Sequence, residues 1–256
     1  MNSKLVHFLY ELGAHIGEQK EKVYPINSFF ISGVRNNLHV INLEITLFFL
    51  KKASFFVKSL GSKNSRLFFY YSNLHSLDKK IISFFIYHIY RNNHSFVFNV
   101  WKHGLLSNFN VQALDILSDL FPEKKGKNYN FSFTFLLFRL IYFSFQTKEA
   151  GVEWFKHLKL MRKYWRFFVY YSFFRNLNIV PDVSIIINSN KMITPVKECN
   201  SLKIPVIGPV DTDVNINNFT YPIPSNDNSF LVSAFYFMLF INSYKKGYSQ
   251  KIHSFI

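Results

Sequence analysis

Two continuous apolar runs, 183–187 and 204–210, flank a helix-compatible stretch, 192–202, with connections of a few residues at most. Val183, Ile185, Ile186 and Ile187 follow Pro181 and Asp182, while Ile204, Val206, Ile207 and Val210 build the second run. Short connections between strand, helix and strand leave one arrangement, a right-handed parallel crossover in a sheet buried on both faces. Residues 211–218 then read as loop, 221–224 as a short edge element, and 226–244 as a terminal helix capped by Asn226 or Asp227. The chain closes on a basic tail, 245–256, carrying Lys245, Lys246, Lys251 and His253.

The first third is mixed. A short helix is expected at 3–12, a loop rich in turn formers after it, and a helix at 38–60. On that second helix Asn42, Glu44, Lys51, Lys52 and Lys58 would solvate one face and Ile45, Leu47, Phe48, Phe55 and Phe56 fill a core. Residues 66–71 and 96–100 are short apolar and aromatic runs that suit buried strands, with a helix between them at 79–90. The middle, 110–178, contains an almost wholly apolar run, 131–145, shorter than the roughly 20 residues a membrane span needs. It reads either as a buried or protein-facing helix or as a membrane contact. Beyond it, Lys156, Lys159, Arg162, Lys163 and Arg166 interleave with Trp154, Phe155, Tyr164 and Trp165. Such a stretch suits phosphate contact with base stacking, or equally a solvated helix face with aromatic anchors.

The chain carries 30 Lys and Arg against 15 Asp and Glu in 256 residues, a net charge of +15. An excess of that size points to a polyanionic partner, nucleic acid or an anionic surface, rather than a small metabolite. The 32 Phe and 15 Tyr accompany abundant Ile, Asn and Lys with only 9 Gly, the set that A/T-rich codons specify, so aromatic content by itself is weak evidence for stacking. The single Cys199 forms no internal disulfide and supplies no thiolate-rich metal site. Residues 1–13 lack the marks of a secretory or transit peptide, an expectation of synthesis in the compartment of use.

No glycine-rich dinucleotide fingerprint, phosphate loop, nucleophile elbow or zinc-binding histidine pair occurs, so no cofactor, metal, catalytic residue or small-molecule substrate is expected. His7 and His15 read as ordinary polar contacts. Asp211 and Asp213 follow a buried strand, where ligand loops of parallel sheets lie, and would be the centre of an enzyme if there were one.

Three ordered blocks carry a resemblance. Glu11, Leu12, Gly13, Ala14, His15, Ile16 and Gly17 are followed by Gly33, Val34, Arg35, Asn36, Asn37, Leu38, His39, Val40, Ile41, Asn42, Leu43 and Glu44. Trp101, Gly104, Leu105, Leu106, Ser107, Asn108 and Phe109 form the second. Pro181, Asp182 and Val183, with Glu198, Asn200, the 204–207 run, Val210, Asp211, Thr212, the 222–224 element, Asn226 and Asp227, form the third. Together these blocks resemble the ribosomal protein S2 family, in its mitochondrial or other organellar form.

The resemblance implies an α/β fold, a parallel Rossmann- or flavodoxin-like sheet flanked by helices, with 1–109 and 179–244 as the core domain and 110–178 as a divergent helical, coiled-coil-like insertion. It implies a non-catalytic constituent of a mitochondrial small ribosomal subunit, in the matrix and organelle-encoded. Its partners would be small-subunit ribosomal RNA, neighbouring ribosomal proteins and, through 110–178, proteins particular to that ribosome. The family sits on the solvent side near the junction of head and body and in bacteria helps recruit messenger RNA by anchoring another ribosomal protein. RNA-binding residues implied are Arg35, Asn36, Asn37 and His39, then Trp101, Lys102, His103, Ser107 and Asn108, with Lys245 and Lys246 from the tail. Their alternative roles are loop capping before a helix for the first group and a turn packed by tryptophan for the second. Glu18 stands where the family has histidine, Tyr24-Pro25-Ile26 where Asn-Pro-Lys is usual, and His103 in place of the first of two glycines, which weakens the case for RNA contact at 18–28. The rival readings are a membrane-associated α/β protein anchored through 131–145 and an enzyme built around Asp211.

Overall fold

A computed structural model describes residues 2–71, 94–98, 101, 103–108, 180–187 and 193–253. The helix expected at 79–90, the stretch 110–178 with its apolar run and basic-aromatic segment, and Lys102 lie outside the described residues. The chain divides into two compact units, Met1–Phe109 with Ser172–Ile256, and Asn110–Tyr171; the described residues belong to the first.

Five strands form one parallel sheet: β4 (Leu67–Tyr71), β5 (Ser95–Phe98), β6 (Val183–Ile187), β7 (Val206–Val210) and β8 (Tyr221–Pro224). Their order, β5-β4-β6-β7-β8, is the flavodoxin-like one, with its switch point between β4 and β6. Every residue of β4, β6 and β7 is buried, the outcome dictated by continuous apolar runs covered on both faces. Alternation along β4 shows what covers each side. Phe69 stacks on Phe237 of the terminal helix, while Phe68 and Tyr70, pointing the other way, meet Trp101. The crossover helix α3 (Ile193–Ser201) joins β6 to β7, as the sequence requires.

A smaller antiparallel sheet precedes this one: β1 (Ile16–Gln19), β2 (Ile31–Arg35) and β3 (Leu38–Ile41), in the order β1-β3-β2, following helix α1 (Asn2–Glu11). The helix expected to start at residue 38 therefore begins later, as α2 (Leu43–Lys63), because 38–41 pairs with β2 and only Asn42 switches the chain into helix. Asn42 Oδ1 accepts from the Glu44 N–H, an N-cap, and Asn64 ends α2 in the left-handed conformation at φ 58°. The buried face of α2 is Leu43, Thr46, Leu47, Leu50, Ala53, Val57 and Leu60. Phe48 and Phe55, expected in the core, stand 56% and 74% exposed on the opposite face.

The terminal helix α4 (Phe230–His253) differs from expectation at both ends. Asn226 Oδ1 accepts from the N–H groups of Asn228 and Ser229 and so caps the turn that leads in, with helix starting at Phe230. At the other end the helix does not stop at 244, so Lys245 and Lys246 are helical rather than part of a tail. Its partner is α2. A Cβ on Gly61 would collide with the Tyr244 carbonyl, and one on Gly247 with the Lys58 carbonyl, so the two backbones touch at reciprocal glycines. That contact packs the 244–248 turns of α4 against α2.

Candidate nucleic-acid interface

The hairpin between β2 and β3 turns through two residues, Asn36 at φ 50° and Asn37 at φ 64°, with Arg35 paired to Leu38. Two consecutive left-handed residues make the tight hairpin turn whose twist matches its strands, and asparagine tolerates that conformation better than other side-chain-bearing residues. The Lys20 N–H donates to the Asn37 carbonyl at 3.0 Å and ties the turn to the chain after β1. Arg35, Asn36 and Asn37 are all exposed, so a guanidinium and two amides stand on a fixed backbone facing solvent. Phosphate and ribose oxygens are natural partners for that set. His39 does not join them. It is 8% exposed, and its Nε2 lies 3.4 Å from the Lys20 carbonyl, a contact inside the fold.

The second group hangs on a residue to which the sequence assigned no role. Glu198, on α3, accepts through Oε2 from Trp101 Nε1 at 3.0 Å and the Gly104 N–H at 3.3 Å. Its Oε1 accepts from the N–H groups of Leu106 and Ser107 at 2.6 and 2.8 Å and from the Ser107 hydroxyl at 3.1 Å. One carboxylate thus collects the donors of a whole loop and of the tryptophan that roots it. Gly104, at φ 80°, adopts a conformation that L side chains avoid. Trp101 is 6% exposed beneath this loop, and so is a structural wedge rather than a stacking platform. His103, Ser107 and Asn108 are exposed, with the Ser107 hydroxyl already committed to Glu198. Replacing Glu198 by glutamine sets an NH2 group against two donors, and should cost about 1–3 kcal/mol and red-shift Trp101 emission, read by urea unfolding and fluorescence. Unchanged emission and stability would mean that the loop holds without the carboxylate.

The acids after β7 form a closed knot. Asp211 is 1% exposed, and its Oδ1 accepts from the Thr212 N–H at 2.6 Å and the Thr212 hydroxyl at 3.3 Å. The Glu18 N–H donates to Thr212 Oγ1, and the Asn27 amide donates to the carbonyls of Asp211, Thr212 and Val214. Residues 18–27 therefore pack into the place beyond β7 where a ligand would be sought. Burial, then the neighbouring Asp213 and Glu18, raises the Asp211 carboxyl to about 7 against the pull of its Thr212 hydrogen bonds. Asp211 also lies one strand away from the switch point. The family departures belong to the same packing: Glu18 Oε1 accepts from Asn228 Nδ2 at 2.7 Å, and Tyr24 Oη from Asn215 Nδ2 at 3.3 Å.

Compared with known families, the chain matches the model for ribosomal protein S2 over residues 9–130 and 144–247. The chain belongs to the ribosomal protein S2 family. It is 30% identical to the small ribosomal subunit protein uS2c of Euglena gracilis over 241 residues, 93% of this chain and 89% of that protein. A uS2c of Galdieria sulphuraria is 30% identical over 84% of this chain and 81% of its own length. The uS2 of Rickettsia prowazekii is 26% identical over 95% and 75%. Membership makes the chain a structural, non-enzymatic constituent of the small ribosomal subunit, a family that binds ribosomal RNA and other small-subunit proteins. The S2 match runs on through 110–130 and 144–178, so that within 110–178 it omits 131–143.

Lys246 is exposed on the last turns of α4, and Lys245 is half-buried there. The hairpin tip and the 103–108 loop belong to different sheets, the first closing β2 onto β3 and the second following β5.

Proposed function

We propose that the chain is the S2 protein of a mitochondrial small subunit, encoded in the organelle and located in the matrix, and that it contacts ribosomal RNA through Arg35, Asn36 and Asn37 together with Lys102, His103, Ser107, Asn108, Lys245 and Lys246. The observation that carries the RNA reading is the hairpin tip: the family's own signature residues stand exposed on a turn whose geometry is fixed. The compartment rests on composition, an A/T-rich codon set rich in Phe, Tyr, Ile, Asn and Lys. His39 and Trp101 drop out of the contact set because burial removes them from any external ligand. Ribosomal proteins particular to this ribosome are the partners proposed for 110–178, with 131–143 the stretch that has left the family pattern.

Sedimentation of a mitochondrial extract at raised salt tests the assignment. Co-migration with small-subunit RNA, abolished by ribonuclease, is the expected result, and migration with membranes or another organelle's ribosomes would sink it. At the level of residues, Arg35→Ala and Lys102→Ala should each flatten the dependence of log affinity on log salt, by roughly 0.7 for single-stranded contacts and about 0.9 for duplex-like ones. An unchanged slope would place both cations away from phosphate.

A further inference from the structure

We propose that the open face of Tyr10, backed by the His15 ring, stacks on one unpaired base of the small-subunit RNA while Arg35 holds the phosphate of that nucleotide. The inference rests on the reading of Arg35 as an RNA contact and adds to it a ring just ahead of the 11–17 block. Tyr10 and His15 lie nearly parallel, their ring centroids 4.2 Å apart and their planes 16° from one another. One face of the phenol is therefore covered, yet Tyr10 is 53% exposed. Its accessible surface is the opposite face and the rim, which no other ring touches among the described residues.

His15 is placed by its backbone and by the stack. The Ile41 N–H donates to its carbonyl at 2.8 Å, while its Nδ1 is buried with no hydrogen-bond partner among the described residues. Burial, and after it the Arg35 charge, holds the imidazole below its ordinary value, so at neutral pH it is an uncharged, flat backing. That influence also brings the guanidinium near the stack, although two strand spacings, about 10 Å, separate β1 from β2 across the small sheet. Arg35 is exposed and makes no ion pair among the described residues. A stacking face with a cation beside it suits the base and the phosphate of one nucleotide.

Other occupants fit less well. A peptide carboxylate would satisfy Arg35 and leave the Tyr10 face in water. A paired base keeps its faces inside its own helix, so the site takes single-stranded or bulged RNA. Glu11, the acid next to Tyr10, is drawn towards His7, its Oε1 3.2 Å from Nδ1, so it does not claim the guanidinium.

The test measures binding of the full chain to small subunits prepared without it. Tyr10→Ser should weaken binding about tenfold, the order of loss when one base–aromatic stack is removed. The slope of log affinity on log salt should not change, because a neutral ring releases no counterion, whereas Arg35→Ala should flatten it. Tyr10→Phe should bind as the natural chain does. A photoreactive phenylalanine at position 10 in otherwise natural subunits should crosslink to an unpaired nucleotide of the RNA. Unchanged affinity in Tyr10→Ser, an equal loss in Tyr10→Phe, or a crosslink to protein or to nothing would overturn the proposal. The crosslink decides the matter even if Tyr10→Ser folds poorly. Failure of the natural chain to bind the RNA-containing subunit at all would instead overturn the functional reading on which it rests.

Discussion

Replacing Gly247 by alanine is expected to destabilise the isolated chain by about 3 kcal/mol, and replacing it by valine by more. The added methyl would run into the Lys58 carbonyl of α2, an atom fixed by helix geometry, so no side chain can swing aside to make room. Separation of α2 from α4 is the remaining response. That movement would loosen Val57, Leu60 and Tyr244, all buried, and the hydrogen bond from Tyr244 Oη to the Ser65 carbonyl at 2.9 Å. Alanine is the better helix former by about 1 kcal/mol, a gain that only partly offsets the clash. Gly33→Ala is the matched control, because a Cβ there meets nothing within 4 Å and should change stability by less than about 0.5 kcal/mol. Denaturant unfolding of the three chains measures the difference; equal midpoints for Gly247→Ala and Gly33→Ala would mean that the helices cross with room to spare.

That glycine also shows where sequence reading met its limit. Gly247 follows two lysines, a pattern that reads as the end of a helix, whereas the reciprocal contact with α2 packs the helix past that point and it runs on to His253. The strands β4, β6 and β7 were legible because continuous apolar runs of that length have few other uses in a chain of this kind. Residues 38–41 were not, since Leu38, Val40 and Ile41 fit a helix face as well as a strand until β2 supplies the partner. Phe48 and Phe55 misled for another reason: where codon bias enriches phenylalanine, the presence of a ring no longer implies burial.

The candidate site divides in the same way. Arg35, Asn36 and Asn37 were legible through the family signature, and the left-handed pair at the tip supplies its physical cause. His39 and Trp101 belong to the same blocks, but they hold the scaffold under the exposed residues. A signature block thus mixes residues that face solvent with residues buried beneath them, and spacing alone does not separate the two. Glu198 was visible as part of the third block, yet its work is done on donors more than 90 residues earlier in the chain, a separation that no local pattern encodes.

The pH dependence of stability is expected to be steeper between pH 4 and 6.5 in Asp211→Asn than in the natural chain, because Asp211 and His94 contribute slopes of opposite sign there. The Asp211 carboxyl rises from 3.8 to about 7, mainly by burial, so between those values the native state holds a proton that the unfolded state has released. Stability from this group is present in full below pH 3.8 and is lost as pH rises towards 7. His94, 2% exposed, accepts the Leu67 N–H on Nδ1 at 3.4 Å and meets the Tyr244 ring edge-on at 4.4 Å. Burial lowers it from 6.5 to about 3, so here the unfolded state binds the extra proton, and stability is lost as pH falls below 6.5. The two slopes oppose one another where they overlap. Asparagine at 211 can still accept from the Thr212 N–H but carries no charge, which leaves the His94 slope unopposed by this site. The variant should then gain on the order of 3 kcal/mol between pH 4 and 6.5, and at pH 7.5 should exceed the natural chain by as much as about 4 kcal/mol. Urea unfolding at pH 4.5, 5.5, 6.5 and 7.5 reads both effects. Parallel pH profiles with no gain at 7.5 would show that Asp211 ionises without penalty, and that the knot of Asn27, Thr212 and Glu18 around it accommodates a full negative charge.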